Sequence, residues 1–239
     1  QPPPRPPAGS DPEIWKQVAV KSLSFATQFP SVTTLNLGGG YKVGRNEGEQ
    51  STDLQAIGEP VKAAFEEYKA ATGREIKLEI EPGTFLTANA GCLVSKVQDK
   101  VTTSDYTFLK LDSGMTEVLR PSLYGAVHPL TVLPASGSPS DVGTATEEVV
   151  VVGHCCESGD LLTPLPGEPE SLGTRVLRKA EIGDYVVVDG SGGYCSGMNT
   201  KNYNSFPEAA EVLVGPGGEG TLIRRRQEVE QMWQNEVSL

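Results

Sequence analysis

Metal-binding side chains are scarce in this chain of 239 residues, which has four cysteines and two histidines. Cys92, Cys155, Cys156 and Cys195 form no C-x-x-C pair, and only His128 and His154 could join them, which argues against a zinc site. Cys155 and Cys156 are adjacent, a spacing at which a disulfide ring is strained, so free thiols and a reducing compartment are expected. No apolar run approaches the roughly 20 residues that span a bilayer, which excludes a membrane helix. No heptad pattern is sustained, which excludes a coiled coil. Basic charge is in deficit, with 20 Lys and Arg against 31 Asp and Glu and a net charge of −11. A nucleic-acid surface would carry a basic stripe instead. The one basic run, Arg224-Arg225-Arg226, is diluted by Glu228 and Glu230 and reads as the solvated face of a C-terminal helix. The acidic balance favours solubility and selects no substrate.

Glycine and proline are plentiful: 27 and 18 residues exceed the ordinary combined share of about 12%. The chain therefore reads as globular and rich in turns. Residues 1–10, QPPPRPPAGS, lack the apolar stretch of a secretory signal and read as a proline-rich linker or a cut end, so a longer parent protein is expected. Residues 11–28 read as a helix, with Asp11 and Pro12 as cap and first position and Ile14, Val18, Val20, Leu23 and Phe25 as its apolar set. The β-branched run VTTLNL stops at Gly38-Gly39-Gly40. Thr52 to Ala71 reads as a second helix closed by Gly73, and Ile76, Leu78 and Ile80 alternate as a strand ended by Glu81-Pro82-Gly83. Helix, strand, helix, strand is an α/β pattern, in which sites gather at the carboxyl ends of parallel strands. From residue 92 the pattern turns all-β. Strands are expected at Leu93–Thr102, Tyr106–Leu111, His128–Leu133, Glu148–Val152, Asp184–Asp189 and Ala210–Val214, with turns at Ala135–Asp141 and Pro164–Gly173. The segments are thus 11–91 (α/β), 92–218 (all-β) and 219–239 (C-terminal helix).

Several positions carry chemistry. Gly38, Gly39 and Gly40 could present backbone N–H groups to a phosphate, or make a plain tight turn. Glu81 ends the second strand, as a site carboxylate or a surface turn residue. Arg120 and Tyr124 share a face if LRPSLYG is helical, offering a guanidinium fork and a hydroxyl to a carboxylate. His154-Cys155-Cys156-Glu157-Ser158-Gly159-Asp160 concentrates thiol and carboxylate at the end of a buried-looking strand, which suits proton transfer and ammonium recognition. Asp160 could equally orient backbone in that turn. Small residues flank Tyr194, as for an aromatic held against something flat, and Asn202-Tyr203-Asn204 forms a polar, aromatic loop soon after.

The stretches LNLGGGY, EIEPGT, LDSGMTEVLRPSLYGAVH, VVGHCCESGD and GDYVVVDGSGGYCSGMNTKNYNSFPEAAEVLV occur in this order over residues 31–214. Together they resemble the C-terminal portion of the diaminopimelate decarboxylases, members of the fold-type III pyridoxal 5'-phosphate (PLP) decarboxylases with the ornithine and arginine enzymes. The resemblance implies that residues 11–91 are the last two β/α units of a (β/α)8 PLP barrel and that 92–218 form a C-terminal β-barrel domain. It implies decarboxylation of meso-2,6-diaminopimelate to L-lysine in a homodimer that shares its active sites. By the same resemblance Gly38, Gly39 and Gly40 hold the cofactor phosphate, Glu81 bonds its pyridine nitrogen and Tyr194 contacts it. Arg120 and Tyr124 bind the substrate's distal carboxylate, and Glu157 binds its distal ammonium. Cys156 reaches across the dimer to serve in protonation.

The sequence departs from the family at Thr84, where Arg is usual after Glu-Pro-Gly, which puts one anion contact in doubt. The family's cofactor-binding lysine lies on an early barrel strand, and Lys42, Lys62 and Lys77 are in the wrong part of the barrel to match it. An N-terminal barrel portion is therefore expected as a partner, with the isolated chain inactive. A non-catalytic regulatory homologue, or an ornithine or arginine decarboxylase, stays open as an alternative. Free thiols suit a cytoplasmic or plastid-stromal protein, and the acidic charge and short apolar runs argue against a nucleic-acid or membrane partner.

Overall fold

The computed structural model describes residues 8–136, 138 and 143–237, which divide into two compact units at Ala90 and Gly91. In the first unit, helix α1 spans Pro12–Ala26, and the Asp11 carboxylate accepts the Glu13 N–H at 2.9 Å. Strand β1, Thr34–Asn36, follows, then helix α2, Leu54–Thr72, and strand β2, Lys77–Glu79. Asp53 caps α2 by accepting the Gln55 and Ala56 N–H groups, and Gly73 ends it in the left-handed conformation at φ +70°. β1 and β2 pair in parallel with Leu35 opposite Leu78, joined through α2.

The expected α1 helix forms, but not with the expected face. Trp15, Ala19, Leu23 and Ala26 are buried, whereas Ile14, Val18, Val20 and Phe25 are exposed. Both sets have helical spacing, and the small Ala19 and Ala26 allow close packing against Ile57, Val61 and Ala64 of α2. Trp15 stacks on Tyr41 at 4.6 Å inside this core. Residues 8–10 are not linker: they form a short 3-10 turn, where the Gly9 carbonyl accepts both Trp15 Nε1–H and the Thr52 hydroxyl. Arg74 ties the unit together. Its guanidinium donates to the carbonyls of Ala26, Phe29 and Val32 and to the Tyr68 hydroxyl, at 2.9–3.0 Å.

The second unit is built on a six-stranded sheet. Its strands are β3 (Leu93–Thr102), β4 (Thr107–Leu111), β5 (Leu130–Leu133), β6 (Thr146–Val152), β9 (Arg175–Arg178) and β10 (Tyr185–Val188). They run in the order β5-β10-β3-β4-β6-β9, antiparallel except for β4 beside β6. Arg178 on the β9 edge donates to the Val132 carbonyl on the β5 edge at 3.0 Å, so the sheet is a nearly closed barrel. Val97, Leu109, Leu111, Val149, Val151, Val186 and Val188 fill it. Val149, Val150 and Val151 are all fully buried, so β6 is covered on both faces.

The structure corrects the expected segments in two places. Pro164–Gly173 is not a plain turn but the hairpin β7 (Pro164–Leu165) and β8 (Glu168–Leu172), turned at Gly167 with φ +79°. The C-terminal helix is absent from the described part of 219–239. Gly220–Arg224 is strand β12, antiparallel to β11 (Glu211–Val214), and only a 3-10 turn at Val229–Met232 follows. The reason is local: Gly215 and Gly218 make a tight turn, Gly218 at φ +84°, and Thr221 and Ile223 are β-branched. Arg224 consequently lies on a strand, paired with Glu211 at 2.9 Å, rather than on a solvated helix. Of the turn at 135–141, residues 137 and 139–141 lie outside the described residues. Among the described residues no helix is long and apolar enough to cross a membrane.

Arg74 supplies charge-assisted bonds to three carbonyls, two of which, those of Ala26 and Phe29, also accept a backbone N–H. Arg74→Ala is expected to destabilise the chain by about 2 kcal/mol, read as a lower urea midpoint. A loss below about 0.5 kcal/mol would place that guanidinium among the ordinary surface contacts.

Candidate functional site

In the first unit the carboxyl ends of β1 and β2 bring the glycine stretch beside Glu81. Strand pairing continues past both strands, with Leu37 N–H donating to the Glu79 carbonyl and Glu81 N–H to the Gly38 carbonyl at 2.7 Å. Gly38 and Gly40 have left-handed φ of +74° and +100°, and a Cβ on either would meet nothing within 4 Å. A Cβ on Gly39 would lie 2.2 Å from the Glu81 carbonyl oxygen, so this position has no room for a side chain. Among the described residues the Gly39 and Gly40 amides have no hydrogen-bond partner. Asn36 organises the pair: its carbonyl oxygen accepts the Gly38 N–H at 2.7 Å, and its amide donates to Glu81 Oε1 at 2.9 Å.

These features fit pyridoxal phosphate. Two unpaired N–H groups on exposed glycines suit a phosphate, and a carboxylate with one oxygen already satisfied by Asn36 can offer the other to a ring nitrogen. Thr84, in place of the usual arginine, begins the short helix α3, Thr84–Thr87.

In the second unit the centre is the loop that follows β6. Asp160 is buried and its carboxylate accepts the Met115 N–H at 2.7 Å and the Cys155 N–H at 2.9 Å. Gly114 and Gly153 flank it so closely that a Cβ on either would lie 2.3 Å or 2.2 Å from a carboxylate oxygen. Cys155 is half-buried, and desolvation, reinforced by the Asp160 carboxylate, pushes its thiol up to about 12. Cys156 and Glu157 are exposed on the outside of the same turn. The Gly159 N–H at 3.0 Å, with the Tyr203 and Ser158 hydroxyls adding, holds the Glu157 carboxyl below the usual carboxylate range. A cleft of about 750 Å³ opens beside the loop, lined by Phe108, Lys110, Leu111, His154, Cys155 and Glu157 among others.

Two further segments converge on this loop. The Met115 carbonyl accepts the Thr200 N–H and hydroxyl, which joins the stretch before Arg120 to the 200–206 loop. His154 Nε2 lies 2.7 Å from the Thr116 hydroxyl, which donates to the buried Glu117 carboxylate, and its ring stacks on Phe206 at 3.5 Å. Arg120 and Tyr124 do share a face: helix α4 is Arg120–Tyr124, and the guanidinium lies 5.9 Å from the Tyr124 ring. Arg120 Nε is buried without a partner among the described residues, while Tyr124 is exposed. Tyr194 sits exposed on the turn after β10, with φ +57°.

Gly38, Gly39, Gly40 and Glu81 are thus grouped in the first unit, and Arg120, Tyr124, Cys156, Glu157 and Tyr194 lie in the second. Sequence reasoning missed Asn36 and Thr116, and it singled out the Asn202-Tyr203-Asn204 loop without giving Asn204 a role. For Asn36 a signal existed, since Asn two residues before a glycine turn commonly bonds backbone there. Thr116 and Asn204 act through long-range contacts that no local pattern announces.

Residues 21–192 match the family described as "Pyridoxal-dependent decarboxylase, C-terminal sheet domain". The diaminopimelate decarboxylase of Escherichia coli is 37% identical over 198 residues, which are 83% of this chain and 46% of that protein. A crystal structure of a diaminopimelate decarboxylase superposes with a TM-score of 0.87 at 34% identity, covering 95% of this chain and 53% of the other. The Helicobacter pylori diaminopimelate decarboxylase complexed with L-lysine gives a TM-score of 0.76 at 27% identity, over 94% of this chain and 51% of that one. The chain spans about half the length of the curated relatives it matches. With the matched stretch taking in the glycine loop, Glu81 and the whole His154–Asp160 loop, the chain belongs to the pyridoxal-dependent decarboxylase family.

Proposed function

We propose that this chain is the C-terminal portion of a PLP-dependent decarboxylase that converts meso-2,6-diaminopimelate to L-lysine and CO2. The observation that carries the proposal is the loop after β6, where an exposed thiol and a carboxylate held ionised stand on consecutive residues, Cys156 and Glu157. The parallel β1–β2 pair, with α2 between its strands, supports the first unit as the last two β/α units of a (β/α)8 barrel. The second unit is the C-terminal sheet barrel. A homodimer that shares its active sites, located in the cytoplasm, completes the proposal and suits the free cysteines.

The residue roles are those that the family resemblance implies. The glycine stretch, through its unpaired Gly39 and Gly40 amides, would hold the cofactor's phosphate, Glu81 would hold its ring nitrogen, and Tyr194 would contact it. Bound there, the cofactor supplies an electron sink as CO2 departs. Diaminopimelate carries both an ammonium and a carboxylate at its far end. Glu157 answers the ammonium. Arg120, whose Nε lacks a protein partner, answers the carboxylate together with the Tyr124 hydroxyl. Cys156 delivers the proton to the carbon that lost CO2. Cys155 is given no such role: burial and the Asp160 carboxylate push its thiol up to about 12, which makes it a weaker proton donor than an unperturbed thiol.

Joined to the N-terminal barrel portion, the chain is expected to release CO2 from meso-diaminopimelate, and alone to release none. Equal turnover of ornithine or arginine would overturn the substrate assignment. In the joined enzyme Glu157→Gln should raise KM by about tenfold or more, the cost of a lost charge-assisted bond. The two neighbouring thiols should also separate chemically. Iodoacetamide at pH 8, followed by peptide mass mapping, should label Cys156 and spare Cys155, whose labelling grows only as pH nears about 12. Comparable labelling of both at pH 8 would contradict the assignment of Cys155 as a structural thiol.

A further inference from the structure

The loop after Thr200 is strained at a place where nothing local requires strain. Asn202, Asn204 and Ser205 all have left-handed φ, of +56°, +51° and +62°, and none is glycine. Asparagine tolerates this region better than most residues, but a cluster of such residues persists only where surrounding contacts over-determine it. Those contacts are present. Tyr203 N–H donates to the Thr200 carbonyl at 3.0 Å, and Ser205 N–H to the Asn202 carbonyl at 2.9 Å. The Asn202 side chain donates to the Phe206 carbonyl at 2.9 Å and accepts from Gln227 Nε2 at 3.3 Å.

The strained backbone aims two side chains at the loop after β6. Asn204 Oδ1 accepts the Cys156 N–H at 2.7 Å, and the Tyr203 hydroxyl donates to Glu157 Oε2 at 3.3 Å. Each therefore bonds one of the two adjacent residues to which chemistry has been assigned.

We propose that Tyr203 and Asn204 are positioning residues, held in a strained brace, that fix the Glu157 carboxylate for ammonium recognition and the Cys156 thiol for proton delivery. The functional half of this statement rests on the decarboxylase proposal above; the contacts themselves do not. The electrostatics agree with the geometry. After the Gly159 N–H, the Tyr203 hydroxyl helps to hold the Glu157 carboxyl low, and the Glu157 charge in turn pushes the Tyr203 hydroxyl up. Asn204 fixes the Cys156 backbone without contributing a charge of its own. The two residues should therefore affect different steps.

The test uses Tyr203→Phe, which keeps the ring and removes the hydroxyl, and Asn204→Gly, which keeps access to left-handed backbone and removes the acceptor. Both are made in the intact, cofactor-loaded enzyme. In Tyr203→Phe the Glu157 carboxyl should titrate at higher pH by carbon-13 NMR, and KM for meso-diaminopimelate should rise about fivefold with kcat held, the effect of one lost hydrogen bond. In Asn204→Gly, KM should hold, kcat should fall about fivefold and hydrogen exchange at the Cys156 amide should speed up by a similar factor. Two variants that lose kcat and KM together, in step with a fall in Tm, would reduce the brace to general stability and overturn the proposal. So would wild-type Glu157 titration in the first variant and wild-type Cys156 amide exchange in the second. If the unmutated enzyme turns over no diaminopimelate, the functional assignment fails instead, and the NMR titration and amide exchange still decide whether the brace exists.

Discussion

The second unit's site depends on one buried carboxylate. Asp160 is 3% exposed, yet it receives two backbone N–H groups from separate segments, Met115 and Cys155. A buried charge without such donors would be costly to hold. Gly114 and Gly153 leave room for it, since a Cβ at either position would collide with its oxygens. The carboxylate thereby joins the end of β6 to the stretch that leads into Arg120. Cys156 and Glu157 are turned outward because Cys155 and Asp160, on either side of them, are drawn inward.

This arrangement explains how two adjacent cysteines come to differ. Cys155 lines the cleft, half-buried beside Asp160, and its thiol is pushed up to about 12. Cys156 stands exposed, with its backbone N–H engaged by Asn204. Glu157 lies in the same exposed turn yet is held ionised by hydrogen bonds rather than by a cationic partner. A carboxylate bonded by Gly159, Tyr203 and Ser158, with no ion pair to a Lys or Arg among the described residues, keeps its charge for a ligand. An ion pair with a protein cation would have spent that attraction internally.

The parts of the fold legible in the sequence are those set by local rules. Asp11 and Asp53 before apolar helical spacing, and Gly73 after it, announced two helices, and alternating runs announced β3 and β4. Local rules failed where tertiary contacts chose between equal patterns. On α1 the exposed Ile14, Val18 and Phe25 are larger than the buried Ala19 and Ala26, and only packing against α2 selects the second set. In the site, the glycine stretch, Glu81, Cys156 and Glu157 were visible because they are contiguous motifs. Asn36 and Thr116 were not, and Asn204 was visible without its role, since each acts on a residue brought near by the fold; Asn204 lies 48 positions from Cys156.

The C-terminal segment shows why such misreadings matter for function. Read as a helix, its arginines are a solvated face with no bearing on chemistry. As strand β12, it places Arg224 against Glu211 and Ser196, and it delivers Gln227 to Asn202 and Glu208. Asn202 is the first left-handed residue of the loop that carries Tyr203 and Asn204. A contiguous chain of contacts therefore runs from the tail, through Gln227 and Asn202, to the Cys156 amide and the Glu157 carboxylate. Because left-handed backbone at three non-glycine residues is maintained only by its restraints, the tail is part of what holds the site. Strand pairing more than 50 residues after Glu157 in sequence thus bears on how Glu157 is presented.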